Sequence, residues 1–374
     1  MKQQTQPQTY SPQNPPMYTT NDEIDLRELF KALWDGKLIV ILVTVLFTAS
    51  SIGFALSSQE WWSSTAKIAK AQPQDLSAYQ QQVKQFQPVF NIYQDDGTVL
   101  VSEELDNLVD SEILFQRFVN TFNSTNNKRN FLSHNSEFQK FKRDHFVDDS
   151  HVTEDAERSL YLSWFDRISV SIEDKRNDYS PYFLNFQTTT KQSSFDLLTS
   201  YIVITEAKVH QDAFNNLRAL VSGKRNELIQ QKRILETQAR SLLLVEAQRA
   251  KYAMYIAKSA GVDKPISIAN DNEIFGIALG SKGLKAKVVA LESVKNLSVI
   301  EPRLQQINAK LDMLNNLEID RTVEFKTFRF LENVEQPITR DKPKRSLIVV
   351  LGTLLGGMLG VVIVLIRFAF RKAD

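Results

Sequence analysis

Two long uncharged runs, one near each end of the chain, constrain this sequence more than any other feature. Residues 38–56 and 347–366 contain nineteen and twenty residues without a charge. At about 1.5 Å rise per residue, a helix of about 20 apolar residues spans the roughly 30 Å hydrocarbon layer of a bilayer. The sequence therefore predicts two transmembrane helices, which place everything between them on one side of a membrane.

A cleaved signal peptide is the alternative interpretation of the first run. Signal peptides begin with a short basic stretch and have an apolar core of about 7–15 residues. Here 37 residues, five of them acidic, precede a run that is longer than such a core. We therefore interpret the run as a membrane anchor.

Basic residues predict the orientation, because Lys and Arg are enriched on the cytoplasmic flanks of spans. The outer flanks of both runs are basic through Arg27, Lys31, Lys37, Arg367, Arg371 and Lys372. The inner flank of the second run is also basic through Arg340, Lys342, Lys344 and Arg345. We predict that both termini are cytoplasmic, on the evidence of the outer flanks.

The residues before the first run divide into a polar tail and an amphipathic segment. Residues 1–20 are rich in Gln, Pro, Thr and Ser and hold almost no aliphatic side chains, so burial cannot offset the entropy of ordering them. In residues 21–37, apolar side chains fall at helical spacing behind an acidic first turn. We predict a disordered tail followed by a short helix.

The segments that flank the central block have the patterns of a small α/β base. WWSSTAKIAKA, DRISVSIED, YFLNFQTTT and VEFKTFRF are rich in β-branched and aromatic residues or alternate in polarity. The middle two predict an antiparallel pair, and the last is expected to pair with the first. Residues 103–122, including Ile113, predict one core-facing helix.

A stretch without proline, residues 191–262, predicts a very long helix. If it is continuous, some 70 residues at about 1.5 Å each extend on the order of 100 Å. Two helices broken at Gly223 are the alternative. A returning helix follows, and Pro302 is expected to kink or restart it.

Apolar residues recur every seven positions along this helix at Val221, Leu228, Leu235 and Leu242. The positions that would complete a coiled-coil seam, Lys224, Gln231 and Gln238, are polar. One narrow stripe is typical of a helix that leans on a neighbour along one edge. We predict that this stripe contacts another subunit.

Glycines and prolines mark the second run and its approach. Gly352, Gly356 and Gly360 share one helical face, where small residues let another helix approach closely. We predict packing against the first span or a neighbouring subunit. Pro337 and Pro343 predict an extended, stiff link before the span.

The residues offer little for catalysis. Cysteine is absent, the formal net charge is +1, and no G-x-x-x-x-G-K-[ST] phosphate loop occurs. His145 and His151 lie among aspartates, but their spacing fits no metal template. We predict no catalytic residue, no cofactor, no metal site and no nucleic-acid partner, and we do not expect an enzyme.

Five stretches, taken in order, resemble the Wzz family of polysaccharide chain-length determinants, also called polysaccharide co-polymerases. They are NDEIDLRELFKALWDGK, WWSSTAKIAKAQP, AKYAMYIAKSAGVDKPI, IALGSKGLKAKVVALE and QPITRDKPKRSLIVVLGTLLGGMLG. The resemblance implies an inner-membrane protein of Gram-negative bacteria that forms closed homo-oligomeric rings. It also implies the kinase-free type, because related co-polymerases with a tyrosine kinase need the phosphate loop that is missing here.

The role that the resemblance implies is to set the modal length of a lipid-linked surface glycan, typically the O antigen of lipopolysaccharide. The implied partners are copies of the chain, a membrane polymerase of the Wzy type and the lipid-linked glycan. A two-span periplasmic sensor and a non-catalytic export adaptor are the alternatives. A sensor would need a cytoplasmic signalling domain, and only eight residues follow Ile366.

The sequence thus predicts an α+β membrane protein, with two transmembrane helices flanking a periplasmic α/β base that carries a very long protruding helical hairpin. The predicted segments are a tail (1–20), an amphipathic helix (21–37), span 1 (38–56), a periplasmic domain (57–346), span 2 (347–366) and a cytoplasmic stub (367–374). Within the periplasmic domain, residues 57–190 and 320–346 are expected to form mainly the base, and 191–319 the long helices.

Overall fold

The computed structural model describes residues 26–94, 96–146, 153–177, 180–266 and 274–373. They form two compact units. The first unit combines the described residues up to Trp61 with those from Thr339 onward, and the second unit is Trp62–Ile338. The predicted tail, residues 1–20, lies outside the described residues.

The helices of the described residues have the following bounds: α1 (Leu26–Asp35), α2 (Lys37–Ser57), α3 (Pro73–Lys84), α4 (Gln87–Phe90), α5 (Asp106–Val109), α6 (Ser111–Asn123), α7 (Thr125–His134), α8 (Ser136–His145), α9 (Glu154–Phe165), α10 (Lys191–Ser259), α11 (Gly280–Ser293), α12 (Arg303–Asn316) and α13 (Arg345–Ala373). The strands are β1 (Trp62–Lys70), β2 (Ile92–Tyr93), β3 (Val99–Leu100), β4 (Ile168–Ile172), β5 (Tyr182–Thr188) and β6 (Phe328–Glu332).

The helices of the first unit are α1, α2 and α13. Both α2 and α13 are long and apolar enough to cross a membrane, and most of their side chains are exposed. A core helix of a soluble protein would instead be buried. These two helices contain the two uncharged runs of the sequence, and α13 continues past Ile366 to Ala373.

The second unit contains a four-stranded sheet in the order β4-β5-β1-β6. The three neighbouring pairs are antiparallel. The predicted pairing of β4 with β5 is confirmed, and so is the pairing of β6 with β1, the strand that follows the first apolar run. The expected α+β fold with one very long helix is confirmed as well.

Two apolar cores lie in succession along α10. The first core packs the sheet against α6 to α9 and the beginning of α10, through aromatic side chains such as Phe122, Phe186 and Tyr201. The second core surrounds the middle of α10 with residues of α3, α4, α5 and α12. The beginning of α10 is capped by Thr190, whose Oγ1 accepts a hydrogen bond from Ser193 N at 3.1 Å.

Helix α10 is one continuous helix, which decides between the two sequence interpretations. It has 69 residues and passes through Gly223 without a break. A Cβ at Gly223 would meet no atom within 4 Å, so this glycine is not required for close packing within the chain. At about 1.5 Å per residue, α10 is on the order of 100 Å long.

Two helices replace the single helix predicted over residues 103–122, so that prediction was wrong in detail. The chain breaks at Asp110, whose Oδ1 accepts a hydrogen bond from Ile113 N at 2.9 Å and caps α6. Ile113, which was assigned to the core face, is 36% exposed. On the return, α11 ends at Ser293, and Pro302 precedes α12, so the returning helix restarts there.

Candidate functional site

The glycine face of α13 packs closely against α2. A Cβ at Gly352 would lie 2.5 Å from Ser51 Cβ, and one at Gly356 would lie 2.7 Å from Phe47 Cβ. A Cβ at Gly360 would lie 2.8 Å from the backbone Cα of Val40. Real Cβ contacts are not this short, so only glycine permits the approach of the two backbones at these positions. The contacted residues of α2 fall from 51 to 40 as the α13 numbers rise, so the helices are antiparallel.

Two further features of this seam were not predicted from the sequence. Gly36, between α1 and α2, continues the seam, because a Cβ there would lie 2.5 Å from Val364 Cγ1. The Oγ1 atoms of Thr48 and Thr353 are 3.0 Å apart, within hydrogen-bonding distance across the two helices. The sequence shows that both apolar runs contain threonines, but which of them face each other depends on how the two helices align.

Near the Ser57 end of α2, the carboxylate of Glu60 forms ion pairs with two arginines. Glu60 Oε1 accepts hydrogen bonds from Arg340 Nη1 at 2.9 Å and from Arg345 Nη2 at 2.7 Å. Arg345 Nε also donates to the carbonyl oxygen of Ala55, near the end of α2. Two of the four basic residues on the inner flank of the second run are therefore paired with an acid. Sequence reasoning did not single out Glu60.

The two prolines of the approach lie in backbone that is not helical. Pro337 follows β6 in the second unit, and Pro343 comes shortly before α13 in the first unit. Around Pro343 the backbone is held by hydrogen bonds between Trp61 N and Lys342 O at 3.0 Å and between Asp341 N and Trp61 O at 2.9 Å. The prediction that these prolines form a stiff link to the second span remains a proposal.

Most of the heptad stripe on α10, which was predicted to contact another subunit, is buried within the chain. Val221, Leu228 and Leu235 are buried inside the chain, in the second core with residues of α12 such as Leu304 and Ile307. They are not available for a contact with another subunit, so that prediction was wrong for these three residues. Leu242 is 51% exposed and remains a proposed contact.

The geometry of a straight helix explains why the stripe leaves the core. At 3.6 residues per turn, positions seven apart drift by about 20° per repeat, so Leu242 lies about 60° around α10 from Val221. Supercoiling would cancel this drift, but it requires a full heptad seam. Beyond Leu235, the buried residues of α10 are alanines, at positions 239, 247, 250, 253 and 257.

The end of α10 and helix α11 form an antiparallel pair, which we call the arm (residues 239–259 and 280–293). The contact side of α10 in the arm is made of alanines, of which Ala253 and Ala257 pack against Leu284 of α11. Besides Leu242, the exposed surface of α10 in the arm carries five large apolar residues, which we call the arm strip: Leu244, Val245, Tyr252, Tyr255 and Ile256.

Several ionisable groups are buried in the second unit. Burial raises the pKa of Tyr79 to about 12, and it also raises the pKa of Tyr201, whose hydroxyl donates to Phe122 O at 2.6 Å. Burial lowers the pKa of His210, whose ring lies 4.2 Å from that of Phe325, and raises the pKa of Glu206. Each shift favours the uncharged form, since burial removes water from the charged one.

No group of three or more potential metal ligands occurs among the described residues. His145 ends α8 and stacks on Phe141 with ring centroids 6.0 Å apart. His151, the other histidine of the aspartate-rich stretch, lies outside the described residues. The features with functional geometry are thus the helix seam of the first unit, the Glu60 contacts and the arm strip.

Comparison with protein families gives two matches in the chain. The model of the Wzz family, described as chain length determinant protein, matches residues 22–113. A second model, the G-rich domain GNVR, matches residues 304–369, which include the glycine face of α13.

Curated relatives align along almost the whole chain. The ferric enterobactin transport protein FepE of Escherichia coli (strain K12) is 24% identical over 97% of this chain and 94% of its own length. The chain length determinant protein of Shigella dysenteriae is 24% identical over 94% of each chain. The ECA polysaccharide chain length modulation protein of Salmonella typhimurium is 21% identical over 93% of this chain and 96% of its own length.

A solved structure shares the fold. A full-length bacterial polysaccharide co-polymerase superposes with a TM-score of 0.58 at 22% sequence identity. The match covers 94% of this chain and 99% of that one.

Proposed function

We propose, from its similarity to the Wzz family of chain length determinants, that this chain regulates the modal length of a lipid-linked surface polysaccharide. The O antigen of lipopolysaccharide is the glycan that we propose. The observation that carries the proposal is the end-to-end alignment with curated relatives, one of which is named chain length determinant protein, at 94% coverage of both chains. An alignment of 355 residues is longer than the second unit, so it includes residues of both units rather than one shared domain.

The proposed mode of action is that of a scaffold. In this proposal the spans anchor the chain in the inner membrane with both termini cytoplasmic, and the second unit lies in the periplasm. Copies of the chain form a homo-oligomer, which acts on a separate membrane polymerase of the Wzy type and on its lipid-linked glycan. The absence of a phosphate loop and of cysteine from the sequence agrees with a role without catalysis.

The arm strip supports the proposed self-association. Leu244, Tyr252 and Tyr255 are each about 60% exposed, and they share one side of α10 with Val245 and Ile256. Aromatic and aliphatic residues grouped in this way are typical of the buried centre of protein interfaces. Heterologous contacts that repeat around an axis close into a ring when the rotation permits. We propose that the strip and Leu242 contact a neighbouring copy.

A gene deletion tests the function directly. Lipopolysaccharide from the deletion strain and from the same strain complemented with the intact gene is separated on a gel. The expected result is a modal band of long O antigen in the complemented strain and a ladder without that mode in the deletion strain. An unchanged mode in the deletion strain, with the length of the ECA polysaccharide, for which one relative is named, also unchanged, contradicts the proposal.

Ferric enterobactin transport is the second candidate, because one relative with 24% identity over 97% of this chain carries that name. The same two strains distinguish the candidates when they are grown with ferric enterobactin as the iron source. Chain-length regulation predicts equal growth of the two strains, whereas transport predicts a growth defect of the deletion strain together with an unchanged glycan.

A further inference from the structure

A basic cleft lies where α1, α2 and α13 meet in the first unit. It has a volume of about 590 Å³ and is lined by all three helices. Its charged lining residues are Lys31 and Asp35 of α1 and Arg367 and Arg371 of α13, and Ile39 and Phe368 are among its apolar ones. Three cations face one carboxylate, so the cleft carries an excess of positive charge.

The three cations of the cleft are available for a ligand. Lys31, Arg367 and Arg371 are exposed, and none of them forms an ion pair or a side-chain hydrogen bond with any residue in the part of the chain that the structure describes. The arginines near the other end of α13 are different, since Arg340 and Arg345 both donate to Glu60. The two basic flanks of the second run therefore differ in whether their charge is already neutralised.

The depth of the cleft matches that of lipid headgroups. Arg367 directly follows the uncharged run 347–366, and Arg371 lies about one helical turn further along α13. On the other helix, Gly36 and Lys37 directly precede the run 38–56. The cleft thus opens at the border between the apolar runs and their charged flanks, which is where headgroups lie if α2 and α13 cross a bilayer.

Helix α1 carries residues that favour the membrane interface. Phe30 and Trp34, one turn apart, are 72% and 71% exposed. The Lys37 ammonium lies 4.7 Å from the centre of the Trp34 ring. Aromatic side chains next to cations are typical of segments that lie at the headgroup level of a membrane. These residues point to a lipid as the ligand of the neighbouring cleft, rather than to a soluble anion.

We propose that this cleft binds the phosphate headgroup of an anionic phospholipid. Arg367 and Arg371 can each donate paired N–H groups to phosphate oxygens, and Lys31 adds a third positive charge. Ile39 and Phe368 supply apolar surface for the glycerol and the first acyl carbons. The site joins α1 to the two apolar helices through the lipid, and it is independent of the proposed role in glycan length.

Native mass spectrometry of the full-length protein tests the site. The protein is released from nanodiscs that contain phosphatidylcholine together with phosphatidylglycerol or cardiolipin, and the retained lipids are counted. The triple variant K31Q/R367Q/R371Q is expected to retain anionic lipid about fivefold more weakly per cation removed, and so on the order of 100-fold more weakly in total. Retention of phosphatidylcholine is expected to stay the same.

Two matched variants and a competitor complete the test. K232Q/R233Q/R240Q removes three cations from α10 and is expected to retain anionic lipid like the wild type. K31R/R367K/R371K keeps the charge and is expected to bind, which separates loss of charge from misfolding. Wild-type retention by the neutral triple variant, an equal loss in the α10 variant, or loss in the charge-conserving variant would each overturn the proposal. Release of the bound lipid by excess inorganic phosphate would overturn the assignment to a lipid.

Discussion

The molecule contains two antiparallel helix pairs with small residues at their contacts, and the pairs use different small residues. In the first unit, α13 presents glycines to α2, at positions 352, 356 and 360. In the second unit, the arm presents alanines of α10 to α11, with Ala253 and Ala257 at most 2% exposed. The helices of the first pair carry uncharged runs, whereas α10 is rich in charged residues.

The difference between the pairs follows from their surroundings. Apolar side chains gain little by leaving lipid for a helix contact, so close backbone packing and hydrogen bonds must stabilise a pair in a membrane. Glycine allows the closest approach. In water, burial of each methyl group of alanine adds apolar area to the contact. Glycine in a solvated helix would also cost about 1 kcal/mol relative to alanine. Both pairs therefore need small residues for a close helix contact, and glycine supplies them between α2 and α13 whereas alanine supplies them in the arm.

The largest expected effect comes from disrupting the buried side of α10, the helix that passes through the second core before it enters the arm. Leu228→Ala removes a side chain that is 2% exposed in the second core. It is expected to lower the free energy of unfolding by about 2–5 kcal/mol, since it deletes buried apolar atoms and leaves a cavity. Urea denaturation of the full-length protein in a mild detergent, followed by circular dichroism, measures the change.

Leu242→Ala is the matched control, because it makes the same change two heptads further along α10. Leu242 is 51% exposed, so the free energy of unfolding of the solubilised monomer is expected to change by less than about 0.5 kcal/mol. Equal losses for the two variants would contradict the drift of the heptad stripe out of the core.

The glycine seam gives the next largest effect. Gly356→Leu places a Cβ 2.7 Å from Phe47 Cβ and 3.0 Å from Thr44 Cα, where the backbone cannot yield cheaply. Overpacking of this kind is expected to destabilise the pairing of α2 and α13 by about 1–3 kcal/mol. The chain has no cysteine, so the disulfide yield of a T48C/T353C background reports the pairing without interference.

Gly357→Leu is the control for the glycine seam, at the neighbouring position and the same depth. A Cβ at Gly357 would lie 3.8 Å from its nearest neighbour, Thr44 Oγ1, which is an ordinary contact. We expect a high disulfide yield with Gly357→Leu and a low one with Gly356→Leu. Similar yields for both variants would show that the glycine face does not determine the approach of the helices.

Much of the fold could be predicted because its signals are local. The lack of charge over 38–56 predicts an apolar helix without knowledge of its partner, and the alternation in β4 and β5 predicts an antiparallel pair. The break at Asp110 was also readable, since Asp is a favoured helix cap, but the apolar spacing on both sides concealed it. The subunit stripe failed at Val221, Leu228 and Leu235 because α12 of the same chain covers them, and apolar spacing alone does not show whether the neighbouring helix belongs to the same chain or to another copy.

The pairing of β6 with β1 was predicted, but side-chain contacts between distant parts of the chain could not be. Glu60 acquires its role only because Arg340 and Arg345, some 280 residues later, return to it. Likewise, the sequence analysis used Lys31, Arg367 and Arg371 only to predict the orientation of the spans. Their convergence on one cleft depends on how α1 meets α13. A basic flank in a sequence does not reveal whether its charges are paired or free.

The smallest effect concerns a polar contact between the uncharged runs of α2 and α13, the one between the hydroxyls of Thr48 and Thr353. Each hydroxyl also lies within hydrogen-bonding distance of a carbonyl oxygen of its own helix, Thr44 O or Val349 O, at 2.8 Å. Each hydroxyl has one proton, which cannot donate fully both to the other threonine and to the carbonyl oxygen of its own helix. The coupling free energy in a Thr→Val double-mutant cycle is therefore expected to be about 0.6 kcal/mol, typical of such bonds in membranes. The cycle is measured by unfolding the full-length variants with a denaturing detergent.

The pair Thr44 and Thr353 serves as the reference cycle, because the Thr44 hydroxyl donates to Val40 O within α2, and its coupling is expected to be zero. A coupling of the same size in both cycles would mean that the hydroxyls act through helix stability and not across the seam, and close backbone packing alone would then hold the two helices together.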